Sequence, residues 1–250
     1  MTQQDDRDRW IRSFHPTRHS PVQLVCLPHA GGSASYYHPM SADLAKRGVD
    51  TLIVQYPGRQ DRRTEPALTT IAELADGVTD ALTGRSDLPI VLFGHSMGAV
   101  VAFETARRLE RAGTPVATVL VSGRRGPTAT RTERWVHQMP DGEVVGEIKL
   151  LDGTAGELLD DPEMLELVMP AIRADHQAIE TYVAETGALV HCPLTALVGD
   201  ADPKTTPEEA RAWSVHTTDR FDLRVFPGGH FYVADQRAAV VATIMAEISR

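Results

Sequence analysis

Ile90-Val91-Leu92-Phe93-Gly94-His95-Ser96-Met97-Gly98-Ala99-Val100-Val101 runs four apolar residues into a serine that has a glycine two places to either side, and then turns apolar again. The run predicts a buried strand that passes at once into a helix, since Ile90 to Phe93 is β-branched and aromatic while Ala99 to Leu109 is rich in helix formers. A residue at so sharp a bend takes a strained backbone, and side chains two places before and after it would collide there. Glycine at both places removes the collision. The Ser96 hydroxyl then stands above the carboxyl edge of a sheet, near the N-terminal amides of the next helix, which makes it a candidate nucleophile.

Outward from this stretch, short apolar runs alternate with amphipathic ones. Strands are predicted at 22–27, 51–55, 90–93, 118–122, 194–198 and 221–226, and helices near 39–47, 70–82, 97–112, 207–214 and 236–248. That alternation specifies an α/β fold of βαβ units, a mostly parallel sheet with helices on both faces. The rhythm breaks between about 124 and 191, a span far longer than the roughly 2–6 residues of an ordinary βα connection. Within it, 161–170 and 171–183 read as two helical segments, opened by Asp161-Pro162 and Pro170. The chain is therefore expected to be a single domain over 1–250 with a helical lid inserted at approximately 124–191.

Composition narrows the function. Of the 250 residues 42% are hydrophobic and 24% charged, ordinary values for a globular chain with a sizeable core. The net charge of -9 argues against non-specific nucleic-acid binding. The first residues are charged and no apolar run approaches membrane-spanning length, so no membrane association is expected and a cytoplasmic location is. Cys26 and Cys192 have neither the number nor the spacing of a disulfide framework or a zinc site and are read as buried thiols. No metal or cofactor is expected.

A serine needs a base, and the base a group to fix its tautomer. In a strand-turn-helix architecture of this kind these partners follow in the order acid, then histidine, each just past a later strand. Two acids, Asp200 and Asp202, follow the strand Leu194 to Val198, and His230 lies in Phe226-Pro227-Gly228-Gly229-His230-Phe231. An acid three places beyond Gly199 reaches over the loop toward the histidine, which favours Asp202, with Asp200 left as a loop or cap acid. His95 flanks the serine and is expected to point away from it. The oxyanion formed by attack on a carbonyl needs preorganised donors. Met97 N–H is one, and Pro28-His29-Ala30-Gly31-Gly32-Ser33-Ala34 offers Ala30 as the other. A phosphate-cradling role for Gly31-Gly32 fails because no Gly-Lys-Ser/Thr follows.

With these residues assembled, the chain resembles the type II thioesterases, free-standing α/β-hydrolases that accompany modular polyketide synthases and nonribosomal peptide synthetases. The resemblance rests on Pro28 to Ala34, on Gln55-Tyr56-Pro57-Gly58-Arg59-Gln60-Asp61-Arg62, on Gly94 to Ala99, on Pro170-Ala171-Ile172-Arg173-Ala174-Asp175 and on Gly228 to Phe231. It implies hydrolysis of acyl groups from the phosphopantetheine arm of acyl or peptidyl carrier proteins, with Ser96 as nucleophile, His230 as base, Asp202 as orienting acid and Ala30 with Met97 as oxyanion donors. Asp152-Gly153-Thr154-Ala155 and His176 depart from the family pattern. Carrier proteins are generally acidic, so an acidic enzyme needs a local positive rim. Arg59, Arg62, Arg124 and Arg125 follow strand ends on the expected active-site side and are candidates for contacting the carrier or the arm's phosphate. An esterase or product-releasing thioesterase of the same fold is the alternative enzyme, and a non-catalytic ligand-binding protein on this fold the alternative of another class.

Overall fold

The computed structural model describes residues 7–85, 87–129, 131, 134–151 and 161–250. Its strands are β1 (Ile11–Arg12), β2 (Gln23–Leu27), β3 (Asp50–Val54), β4 (Ile90–His95), β5 (Val116–Ser122), β6 (Leu194–Gly199) and β7 (Phe221–Phe226). They form one sheet in the order β1-β3-β2-β4-β5-β6-β7, parallel throughout except for the β1–β3 pair. All six predicted strands are present. β1 was not predicted; two residues are too few to show a period.

Alternate residues of the central strands feed two cores. Val25, Leu27, Leu92, Val119 and Val121 pack under α2 (Ile71–Leu82) and α3 (Met97–Arg111). Leu24, Cys26, Val91, Phe93 and Leu120 pack under α1 (His38–Ala45) and the C-terminal helix Arg237–Ile248. A strand buried on both faces reads as a continuous apolar run, which is why these strands were visible in the sequence. Both cysteines are free and buried, as expected.

Between β5 and β6 the chain forms α4 (Asp141–Lys149) and α5 (Pro162–Glu180). The two helical segments predicted at 161–170 and 171–183 are one helix. Asp161 caps its start, accepting from the Glu163 and Met164 amides, and Pro170 lies inside it. Proline costs a helix one backbone hydrogen bond, to the residue four places earlier. Pro170 and Glu166 both lie on the exposed side, where that loss is cheapest, while Met169, Ile172, Asp175 and Ile179 bury the opposite stripe and carry the helix through. Asp152 to Ala155 lies outside the described residues. Short helices α6 (Pro207–Arg211) and α7 (Tyr232–Asp235) precede α8 (Arg237–Ile248). Among the described residues no helix is long and apolar enough to cross a membrane.

The turn from β4 to α3 is sharp and closely packed. Ser96 sits at φ 55° and ψ -116°, a conformation that costs a non-glycine residue about 1–3 kcal/mol. A Cβ at Gly94 would lie 2.0 Å from the Gly98 carbonyl oxygen, and one at Gly98 would lie 2.1 Å from the Leu27 carbonyl oxygen. Both obstacles are backbone and have nowhere to go. Gly98→Ala is therefore expected to cost about 3 kcal/mol or more in urea unfolding. In α4 a Cβ at Gly146 meets nothing within 4 Å, so Gly146→Ala should stabilise by about 0.5–1 kcal/mol in the same measurement.

Candidate active site

In a parallel sheet every strand delivers its following loop to one edge. β4 ends at Ser96, β6 leads to Asp202, β7 to His230, β2 to the loop 28–34, and β5 to Gly123 and Arg124. These loops meet. The Ser96 amide donates to Ser122 O at 2.7 Å, the Gly123 amide to Leu197 O at 2.9 Å, and the His230 ring lies 5.1 Å from the His95 ring, centroid to centroid.

His230 and Asp202 form the buried pair that the sequence anticipated. Nδ1 of His230 donates to the Asp202 carboxylate at 2.9 and 3.1 Å, and the two residues are 3% and 6% exposed. The bond holds the ring and leaves Nε2 as its other nitrogen. Asp202 also accepts the Lys204 amide at 2.8 Å. Asp200 points elsewhere: it is exposed and accepts the Gly228 amide at 2.9 Å, tethering the histidine loop to the acid loop. Among the described residues no hydrogen bond joins Ser96 Oγ to His230. Such bonds often close only around substrate.

Beneath the pair lies a polar chain that sequence reasoning missed. His95 Nδ1 is hydrogen-bonded to Ser122 Oγ at 2.9 Å, and Ser122 Oγ to Tyr232 Oη at 2.6 Å. No local motif marks Ser122 or Tyr232, because the three come from separate elements, β4, β5 and α7. Burial, then the neighbouring His230 and His29, hold the His95 imidazole well below the ordinary histidine range. His29, stacked edge-on against Tyr36 and Phe231, is lowered to about 3 by burial and by the charges of His230 and Arg59. Both rings are neutral at pH 7.

The loop 28–34 makes a turn in which the Gly32 amide donates to His29 O at 2.9 Å, and Gly31 takes φ +74°. The Gly31 amide is taken by Asp175 of α5 at 2.7 Å, whereas the Ala30 amide has no acceptor among the described residues. Met97 opens α3, so its amide is one of the helix's N-terminal donors without an intrahelical acceptor. The two predicted oxyanion donors thus belong to the two backbone segments that flank Ser96.

The expectation that Arg59 and Arg62 reach outward to a carrier is corrected here. Both are buried, at 7% and 3% exposure, and both are used inside the protein. Arg59 pairs with Asp175, and Arg62 pairs with Glu65 while donating to Gln55 O. Buried guanidinium groups already paired with carboxylates and backbone carbonyls are not a docking rim. Arg124 and Arg125 do line a cleft of 610 Å³, together with Val100, Tyr182, Glu185 and Val215. The Arg124 carbonyl is held by Trp213 Nε1 at 2.8 Å. A second cleft, of 430 Å³, runs between Gly31, Arg59 and the α5 residues Met164, Leu167 and Val168.

His176, which departed from the expected pattern, is committed to α5's own anchorage. Glu180 accepts from the His137 and His176 rings and from the Val136 and His137 amides. Burial opposes its charge, but these donors prevail and lower its pKa to about 2. Among the described residues no group of His, Cys, Asp and Glu is arranged to hold a metal ion.

A family model described as Thioesterase domain matches residues 22–248. A probable cadicidin biosynthesis thioesterase of Streptomyces griseus is 51% identical over 239 residues, which cover 96% of this chain and 66% of that protein's length. The solved structure of the type II thioesterase BorB, from the borrelidin biosynthetic cluster, superposes with a TM-score of 0.90 at 50% identity, covering 96% of this chain and 98% of that one. YbtT, a type II thioesterase from the yersiniabactin NRPS/PKS pathway, gives 0.84 at 30% identity, covering 96% and 98%.

The neutral histidines have a consequence for stability. In the unfolded chain they take up protons near pH 6.5, whereas folded His29 does so only near 3, so between these values the unfolded state binds more protons. Their contribution is complete above about pH 6.5 and is lost as pH falls below it. Thermal unfolding should show Tm declining from pH 6.5 to 5, and His95→Asn should make that slope shallower.

Proposed function

This chain belongs to the thioesterase domain family, and on that premise we propose that it clears stalled or aberrant acyl groups from the phosphopantetheine arm of acyl or peptidyl carrier proteins. It is a thioester hydrolase of the type II kind. The observation that carries the mechanism is the buried Asp202–His230 pair beside the strained Ser96 turn.

Ser96 Oγ attacks the thioester carbonyl carbon while His230 Nε2 takes its proton. Asp202 keeps the ring in the tautomer with Nδ1 protonated and stabilises the imidazolium that forms. Negative charge on the carbonyl oxygen falls to the Ala30 and Met97 amides. The C–S bond breaks, the pantetheine sulfur leaves with the proton held by His230, and an acyl-serine remains. Water then attacks that ester and gives one proton to His230, which returns it to Ser96 Oγ as the carboxylic acid departs. Neutral His29 and His95 add no positive charge to compete with the imidazolium.

The segment at approximately 124–191 serves as the lid over this edge of a single hydrolase domain. The arginine side of the cleft at its base, Arg124 and Arg125, takes the carrier surface or the arm's phosphate, giving an acidic chain the local positive charge that docking an acidic partner requires. The setting is cytoplasmic.

Ser96→Ala should abolish both thioester turnover and labelling by a fluorophosphonate. Asp202→Asn should lower kcat by about 10⁴, as a wrong histidine tautomer does, while Asp200→Asn should cost less than about tenfold. Acyl-carrier substrate should be turned over in preference to acyl-coenzyme A and nitrophenyl esters. Reversing the charges of Arg124 and Arg125 should raise the apparent KM for acyl-carrier protein and spare a small thioester; equal effects on both would reject the docking surface.

A further inference from the structure

Asp175 is fully buried, yet nothing in the mechanism above uses it. Its carboxylate sits on α5 and faces the loop after β2, 144 residues earlier in the chain. Oδ2 accepts the Gly31 amide at 2.7 Å and Arg59 Nη1 at 2.5 Å, and Oδ1 accepts Arg59 Nη2 at 2.8 Å. The paired guanidinium then spends its remaining donors on the same neighbourhood, Nη1 on Gly32 O and Nε on Pro57 O, each at 3.2 Å. Gln55 completes the frame: its Oε1 accepts the Ala34 amide at 2.8 Å, and its Nε2 donates to Arg59 O at 3.3 Å.

These contacts bear on a backbone turn with two accessible forms. In a four-residue turn from His29 to Gly32, the middle peptide, Ala30–Gly31, flips between the type I and type II arrangements, and only type II needs positive φ at the third residue. Gly31 has that φ, +74°. A carboxylate on the Gly31 N–H holds the middle peptide in the type II sense. The Gly32 amide on His29 O orients the preceding peptide, which carries the Ala30 N–H. Ala30 is thus fixed from both sides. Ile172, one helical turn before Asp175, presses on the same point: a Cβ at Gly31 would lie 2.8 Å from its Cγ1.

We propose that Asp175, paired with Arg59, is a positioning residue for the reaction, holding the Ala30 amide at the oxyanion position through the Gly31 peptide. The assignment rests on the serine-hydrolase reading above. It gives a chemical reason for the buried ion pair, which by itself is weak evidence for stability, and makes α5 part of the oxyanion hole rather than only its cover.

Turnover of a short-chain thioester and inhibition by an alkylboronic acid are measured first on the unmodified protein. The boronate forms a tetrahedral adduct with a serine and places an oxygen in the oxyanion position without any thioester. Failure of turnover alone therefore counts against the proposed function, while the boronate still reads the turn. Arg59→Met with Asp175→Leu removes both charges together and strands neither. It should lower kcat by about 10- to 100-fold, less than or equal to the loss of a whole donor, with KM changed less than about twofold. Boronate affinity should fall by the same factor as kcat. Arg59→Gln with Asp175→Asn, which keeps an amide oxygen for the Gly31 N–H, should recover most of both losses. Where the leucine variant does not fold, Arg59→Gln with Asp175→Ser takes its place, the serine being too short to reach Gly31. Rates are normalised to sites titrated with a fluorophosphonate, so a loss that is only unfolded protein disappears. Wild-type kcat and boronate affinity per titrated site in the leucine or serine variant, or equal losses with and without the amide acceptor, would overturn the assignment.

Discussion

A non-glycine residue with φ 55° at the end of a central strand is the constraint around which this protein is built. Ser96 is held there because β4 and α3 are each buried on their own account, by Leu92, Phe93, Val101 and Phe103, and the connection between them has no slack. Gly94 lets the helix's first turn lie on the strand, and Gly98 lets that turn lie on the end of β2. The second contact matters most for chemistry. It brings the loop after β2, with Ala30, beside the helix that carries Met97. Backbone sterics thus bring the two amides near the serine before any side chain is considered.

What the sequence disclosed and what it hid follow from distance along the chain. The turn at Ser96, the six main strands and the order of acid and histidine are local patterns: an apolar run, a glycine spacing, a loop after a strand. Asp202 was preferred to Asp200 as a matter of reach; Asp202 is hydrogen-bonded to the His230 ring and Asp200 to the Gly228 amide. Arg59 was misread for the opposite reason. Its position after a strand was correctly placed, but its partner Asp175 lies 116 residues away on an inserted helix, and no periodicity reveals such a pairing. Both residues stood in the motifs that carried the family resemblance. The insertion between β5 and β6 was visible as a missing strand, but its internal order was obscured by Pro170, which ordinarily marks a helix boundary and here sits where solvent tolerates it.

The histidines of the site differ in their partners. Three histidine rings are clustered, with centroids 6.1 Å apart for His29–His95 and 5.1 Å for His95–His230. Three imidazolium ions so close would repel one another and the proton that catalysis needs. Burial settles the matter for two of them, and the third alone has a carboxylate. Among the described residues Asp202 is the only acid hydrogen-bonded to any of the three, and its partner is His230. His95, beside the serine in sequence, is instead tied to Ser122 and Tyr232 and supports the floor.

Buried charge also constrains how far α5 can move. α5 is fastened near its middle by the Arg59–Asp175 pair, where Arg173 also reaches the carbonyls of His137 and Met139 and the carboxylate of Asp141, and at its C-terminal end by Glu180, which accepts from the His137 ring and the Val136 and His137 amides. Lifting the helix would strand a buried guanidinium and a buried carboxylate, a cost of several kcal/mol, and would release the Gly31 amide in the same motion. The cleft lined by Arg124 and Arg125 and the one lined by Gly31 and Leu167 are both present with these contacts made. The conformation of the loop after β2 and the placement of the middle of α5 are then a single problem, since one carboxylate serves both.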